Sequence, residues 1–235
     1  MFHVKHGDAP DAPAAATKVF GDRLELAVRY AEILVGAGIE RGLLGPSETD
    51  RVWDRHILNS AATAELVEAG QRVGDIGSGA GLPGIPLALA QPDVRMLLIE
   101  PLLRRAEFLM ETIAELDLVA RGIDIRVLRG RAEDPAVRHE AGPLDVVTSR
   151  AVAPLDKLAR WSLPLLGTGG RMVALKGDRG ASEIEEHRRV LQSLGAVDPE
   201  VVKCGVQYLN PPATVVVVRR GPQREGSRRT ARSRR

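Results

Sequence analysis

A glycine-rich turn bracketed by two acids is the strongest chemical signal in the chain. Val73-Gly74-Asp75-Ile76-Gly77-Ser78-Gly79-Ala80-Gly81-Leu82-Pro83-Gly84 passes from a strand-like segment into a turn, and Pro83 stands where a helix would begin, in its favoured first-turn position. Glycines at 77, 79 and 81 allow a tight turn and a close approach of the backbone to a bound group. Glu100 follows 19 residues after Gly81, at the expected end of the next strand. A carboxylate there can accept hydrogen bonds from both hydroxyls of a ribose. The pattern is that of a nucleoside pocket, although Gly79 to Gly84 also satisfies the dinucleotide fingerprint G-x-G-x-x-G, which alone is weak evidence.

Other candidates are more ambiguous one by one. Arg150, after the fourth expected strand, could clamp a carboxylate or a phosphate, read guanine O6, or bridge a surface acid. Arg55 and His56 precede the sheet; His56 is either an acid–base group near the pocket or a histidine at the edge of the core. Lys176, at the end of the fifth strand, suits either an RNA phosphate or a structural ion pair. Arg104, Arg105, Arg126, Arg129 and Arg131 could form a basic face, but the helix around the first two alternates charge as any solvated helix does. No constellation of His3, His6, His139, His187 and the single Cys204 suggests a metal.

These residues need elements to position them. After Gly70, strands are expected at 73–76, 94–100, 123–128, 144–148, 171–175, 201–208 and 214–219, with helices between them at 82–90, 102–118, 134–139, 155–166 and 181–194. Strand and helix in turn imply right-handed crossovers and a parallel sheet covered on both faces. Residues 209–213 are too few for a crossover, so the last two strands form a hairpin and one of them runs against the sheet. Seven strands result, six parallel and one reversed. Upstream, residues 7–16 read as a mobile lead-in within a flexible segment 1–20. Helices follow over 21–70: one from Arg23, a second with Ser47 as N-cap and Asp50 three residues on, and a third at 61–69.

The reversed strand and the position of Asp75, two residues before Gly77, favour S-adenosylmethionine over NAD: D-x-G-x-G-x-G is the nucleotide loop of class I methyltransferases, a Rossmann-like α/β fold. With the sheet placed, no stretch of these 235 residues is expected to form a second domain that would hold a hydride acceptor. Asp75-Ile-Gly-Ser-Gly-Ala-Gly-Leu-Pro-Gly-Ile-Pro86, preceded by Arg55-His-Ile-Leu-Asn-Ser60 and followed by Thr148-Ser-Arg-Ala151 and Ala174-Leu-Lys-Gly177, resembles the ribosomal small-subunit RNA methyltransferase G family, also called glucose-inhibited division protein B. The resemblance runs from about Arg23 to Val218. It implies S-adenosylmethionine-dependent methylation of guanine N7 in the decoding-region loop of 16S rRNA. It further implies cofactor contacts at Gly77, Leu82, the Ala132-Glu133 backbone and Arg150. Glu100-Pro101 departs from the aspartate and small polar residue common in relatives, leaving the ribose acceptor on a longer side chain.

Guanine N7 has a free lone pair and no proton to lose, so such a transfer needs no general base. Consistent with that, no Asn-Pro-Pro-Tyr-type motif follows the fourth strand. A class I methyltransferase acting on another RNA or a small molecule, and an NAD-binding oxidoreductase, are the alternatives.

Composition bounds the rest. With 235 residues and 44% hydrophobic content, the chain can bury a sizeable core. No apolar run reaches the roughly 20 residues of a membrane span, and the opening does not read as a signal peptide. A cytoplasmic monomer, working on 16S rRNA or the small subunit without metal or membrane, is expected. The net charge of +2 is uneven: 219–235 carries eight arginines against Glu225, and the remainder is net −5. That tail is expected to be disordered and suits a polyanionic partner or mere solubility. Aromatics at 3% leave base recognition to phosphate and shape contacts rather than stacking.

Overall fold

The computed structural model describes residues 6–91 and 93–222. Seven strands form one sheet: β1 (Arg72–Ile76), β2 (Arg95–Glu100), β3 (Ile125–Arg129), β4 (Leu144–Arg150), β5 (Leu166–Lys176), β6 (Ala196–Cys204) and β7 (Ala213–Arg220). Their order is β3-β2-β1-β4-β5-β7-β6, with β7 antiparallel to both its neighbours and every other pairing parallel. The expected class I methyltransferase architecture, with its N-terminal helices, is therefore present, and β7 is the reversed strand.

The side chains explain why β7 lies inside and β6 outside. Thr214 to Val218 are all buried, with Val215 and Val217 in one core and Val216 and Val218 in the other. A strand apolar on both faces must be covered on both, and each such valine contributes about 1.5–3 kcal/mol by leaving water. β6 instead is buried only at its two ends, Ala196 and Cys204, and contains Pro199, which cannot donate to a ladder and belongs at an edge.

The helices are α1 (Ala14–Phe20), α2 (Leu24–Ile33), α3 (Asn59–Ala61), α4 (Gly84–Ala90), α5 (Leu103–Glu115), α6 (Pro135–Ala141), α7 (Leu155–Ser162) and α8 (Gly180–Ser193). Short α3 sits in a continuous helical run over 46–66 that passes from 3-10 (Pro46–Arg51) through π (Val52–Leu58) to α and back to 3-10 (Ala62–Leu66). α1, α2, this run, α4 and α5 pack on the face carrying Val73, Met96, Leu98 and Val146. The opposite face, with Leu97, Ile99, Val147 and Met172, is covered by α6, α7 and α8.

Several expectations are corrected. The supposed mobile lead-in is docked: Gly7 donates to Glu32 O at 2.9 Å, Trp53 Nε1 donates to Pro10 O at 2.8 Å, and α1 buries Ala16 and Phe20. Hydrophobic contact, rather than periodicity, holds it. Ser47 does not cap its helix, which starts at Pro46 after Gly45, and the third helix ends at Leu66. Pro83 occupies the N-cap of α4 instead of its first turn. β5 and β6 begin five residues earlier than expected, because register shifts near Leu144 and Val197 absorb the glycines of 167–170 and Pro199. Arg219, counted both in the last strand and in the tail, lies in β7, and Arg220, assigned to the tail, finishes it and donates to Leu166 O. The rest of the expected arginine tail, 223–235, lies outside the described residues.

Candidate active site

The chain moves outward from β1 to β2 and β3, then returns to place β4 on the other side of β1. In an open α/β sheet, the carboxyl ends of the strands at such a reversal border a crevice where ligands bind. The glycine loop leaves β1 at this point and Arg150 ends β4 beside it.

A backbone hydrogen bond pins the loop to β2 and another closes the turn within it. Gly77 donates to Ile99 O at 2.8 Å, and Gly81 to Ser78 O at 2.7 Å. From α2, the buried Tyr30 hydroxyl donates to Ala80 O at 2.8 Å. Glu100, the last residue of β2, ties the glycine loop to the turn that follows its own strand: Oε2 accepts from the Gly79 N–H and Oε1 from the Leu102 N–H, each at 3.0 Å. Each oxygen keeps a second lone pair, and the side chain is buried, 1% exposed, behind the loop.

Two glycines have different reasons to be glycine. Gly79 has φ +56°, and a Cβ there would meet only Gly77 O, at 3.8 Å, so its outer side is open space for a ligand. A Cβ on Gly81 would instead stand 2.5 Å from Ile85 Cδ1, so this glycine serves packing against α4.

Asp75 lies under the loop with no exposed surface. Its Oδ2 accepts from the Gly84 N–H at 3.1 Å, and its Oδ1 has no partner. Burial pushes its carboxyl up to about 7, against the pull of hydrogen bonds involving Ser78 and Gly84. It supports the loop from beneath.

Arg150 crosses from the sheet to the helical run. Its NH1 donates to His56 O at 3.2 Å and to Ser60 Oγ at 3.1 Å, while NH2 lies 2.9 Å from His56 Nδ1. The other ring nitrogen of His56 is 2.7 Å from Glu48 Oε2. Burial and the neighbouring Arg150 charge push His56 down to about 4, so the ring is neutral at physiological pH. Arg150 is drawn down to about 10, chiefly by burial, and remains charged. Of five guanidinium N–H groups, three are used in these contacts and two are not.

Residues 23–210 match the family model described as rRNA small subunit methyltransferase G. The chain belongs to the rRNA small subunit methyltransferase G family. It is 65% identical to the ribosomal RNA small subunit methyltransferase G of Mycolicibacterium smegmatis, over 98% of this chain and 97% of that protein. It is 64% identical to the enzyme of that name from Mycolicibacterium gilvum, over 91% of this chain and 92% of that one. Among solved structures, a predicted O-methyltransferase of Agrobacterium tumefaciens superposes with TM-score 0.55 at 19% identity, covering 71% of this chain and 81% of that one, which is a likeness of fold.

In this member of the methyltransferase G family, the structure separates the residues singled out by sequence. Gly77, Gly79 and Leu82 are half-buried in the loop that leaves β1 and Arg150 is half-buried at the end of β4, while Glu100, Asp75 and Gly81 are buried beneath them. Ala132 is buried and Glu133 half-buried in the turn after β3, where Glu133 lies 3.9 Å from Arg131. Arg55 is exposed and lies 3.4 Å from Glu48. Lys176, weighed for RNA phosphate, makes the structural ion pair: its Nζ is 2.8 Å from Glu183 Oε2 and donates to Ala153 O at 2.9 Å. The same Glu183 oxygen accepts from the Leu155 N–H, so the pair fastens β5 to α7 and α8. Sequence reasoning missed Tyr30 and Glu48. Tyr30 sits in an ordinary apolar helix face, and nothing in the spacing marks Glu48. Ser60 was within reach, since it follows His56 by four residues and so shares its helical face. Among the described residues, no group of three or more potential metal-binding side chains occurs, and no helix is long and apolar enough to cross a membrane.

The buried carboxyl of Asp75 has a measurable cost. Its folded-state value lies above its unfolded one, so the folded protein loses stability as pH rises from the unfolded value toward about 7. Asp75→Asn retains an acceptor for Gly84 and cannot ionise. Its stability relative to the native chain is expected to rise by about 2–3 kcal/mol between about pH 5 and about pH 8. Urea unfolding at both pH values measures this, and a constant difference would show that Asp75 ionises freely in the fold.

Proposed function

We propose that this chain transfers a methyl group from S-adenosylmethionine to N7 of one guanine in the decoding-region loop of 16S rRNA. The observation that carries the reading is the pairing, at one sheet reversal, of a nucleoside cradle with a half-satisfied arginine. Gly79 and Glu100 form the cradle, and Arg150 stands across the crevice from it on β4. Family membership supports small-subunit rRNA as the substrate. Action on ribosomal RNA supports a cytoplasmic location.

The residues present suit this cofactor. The open side of Gly79 leaves room for a ligand against the loop, and Glu100 has acceptor capacity for its ribose. Gly77, Leu82 and the Ala132-Glu133 turn complete the holding surface. When bound, S-adenosylmethionine supplies a methyl group on a sulfonium, which a nitrogen lone pair can attack directly.

Because N7 has a lone pair and no proton, no side chain has to remove one. What the protein must do is align the two reactants and exclude water. Positive charge develops on the guanine as the methyl arrives, so Arg150 would be a poor neighbour for the base. Its free N–H groups therefore serve a carboxylate or a phosphate. Tyr30, Trp53 and Phe108 are buried in the core and offer the substrate base no stacking face.

Isothermal titration calorimetry tests the cofactor assignment. S-adenosylmethionine and its demethylated product are expected to bind, and NAD is not. Heat from NAD with none from S-adenosylmethionine would overturn it and favour a dehydrogenase-like pocket.

A further inference from the structure

We propose that Glu48 and His56 are positioning residues that set the Arg150 guanidinium toward an oxyanion, a carboxylate or a phosphate, in the crevice. The inference rests on the reading of Arg150 as a ligand-binding group. Its basis is which hydrogen each nitrogen can carry.

Arginine donates hydrogen bonds and accepts none. His56 Nδ1, 2.9 Å from Arg150 NH2, must therefore present its lone pair. The ring hydrogen then sits on Nε2 and is donated to Glu48 Oε2 at 2.7 Å. Glu48 thus selects the tautomer that can hold Arg150; the opposite tautomer would set N–H against N–H. Fixing one ring nitrogen through the bond made by the other is how histidine ligands are oriented. His56 is 8% exposed, so water competes poorly for either contact. His56 O and Ser60 Oγ hold NH1 in the same way, and together the contacts fix a planar fork whose remaining N–H groups have set directions. The helical run over 46–66 therefore does more than cover the sheet. Glu48, His56 and Ser60 all come from it, and Arg150 comes from β4.

Two substitutions separate positioning from packing. In His56→Asn the amide oxygen stands near the place of Nδ1 and can still accept from Arg150. In His56→Gln the amide reaches toward the place of Nε2, keeping a donor for Glu48 but leaving Arg150 unheld. Steady-state methylation should show His56→Gln raising KM about tenfold or more for one ligand, with kcat nearly unchanged. A rise for S-adenosylmethionine marks a carboxylate, and a rise for the RNA substrate marks a phosphate. His56→Asn is expected to restore that KM to within about threefold, and His56→Gln should add nothing in an Arg150→Ala background. Equal losses in both His56 variants, or losses that multiply with Arg150→Ala, would overturn the positioning role. Nitrogen-15 NMR of the imidazole provides a readout independent of activity: the native ring should be neutral and protonated at Nε2. A proton on Nδ1 would overturn the proposal whatever the reaction, whereas an inactive native protein with the Nε2–H tautomer would count against the proposed function alone.

Discussion

Gly79→Val is expected to abolish binding of S-adenosylmethionine while leaving the sheet folded. Two effects act, and their sizes differ. Gly79 has φ +56°, a conformation that costs a non-glycine residue about 1–2 kcal/mol, and somewhat more for a β-branched one. Against a typical domain stability of about 5–15 kcal/mol, that lowers the melting temperature without unfolding the chain. At its root the valine side chain is uncrowded, since a Cβ would meet only Gly77 O at 3.8 Å. It instead fills the space where the ligand must approach, and the loop is tied on both sides of it, at Gly77 to Ile99 and at Ala80 to Tyr30, so it cannot easily retreat. Affinity should fall about 100-fold or more, a difference of about 2.7 kcal/mol. Gly70→Val is the control: Gly70 has φ +81° with nothing near its Cβ position, and it precedes β1 at the opposite end from the loop. It should carry a similar thermal penalty with unchanged affinity. Calorimetry and thermal unfolding on both variants make the check, and equal affinities would place the cofactor elsewhere.

Arg150→Ala is expected to lower methylation by about 100-fold or more, as misplacement of a reactant does. It also costs stability, because the guanidinium joins the end of β4 to His56 and Ser60. Losing those contacts amounts to about 1–3 kcal/mol, or a few degrees in melting temperature for a chain of this size. Rates measured well below the lowered midpoint separate the effects. Arg150→Lys keeps a charge and a donor for His56 but not the planar fork, so it should fall between the two. A rate loss no larger than the fraction unfolded would reduce Arg150 to a structural tie.

The site was legible in the sequence wherever local chemistry decides. Loop glycines, the strand before them and Glu100 at the next strand's end lie close together in the chain, and backbone geometry limits what they can do. The reversed strand was legible for a similar reason, since five residues between two strands cannot cross a sheet. That β7 is the inserted strand follows from Val215 to Val218, apolar on both faces, and from Pro199 in β6. Long-range choices were not legible. Lys176 could have met a phosphate or an acid, and only the fold brings Glu183 to it. Residues 7–20 have little periodicity of their own and are ordered by what they dock on, through Trp53 and Glu32. His56 carries the same lesson: its role depends on Glu48 on one side and Arg150 on the other, 94 residues away in the chain.

The most direct test of the proposed reaction is to map modified nucleosides by mass spectrometry in 16S rRNA from cells with and without this protein. Purified protein would then be incubated with labelled S-adenosylmethionine and small subunits, or deproteinised RNA, from the deficient cells. A single 7-methylguanosine in the decoding-region loop should be missing from the deficient cells and restored by the native protein. An unchanged modification map, or label transferred to another nucleoside or to a small molecule, would contradict the reading.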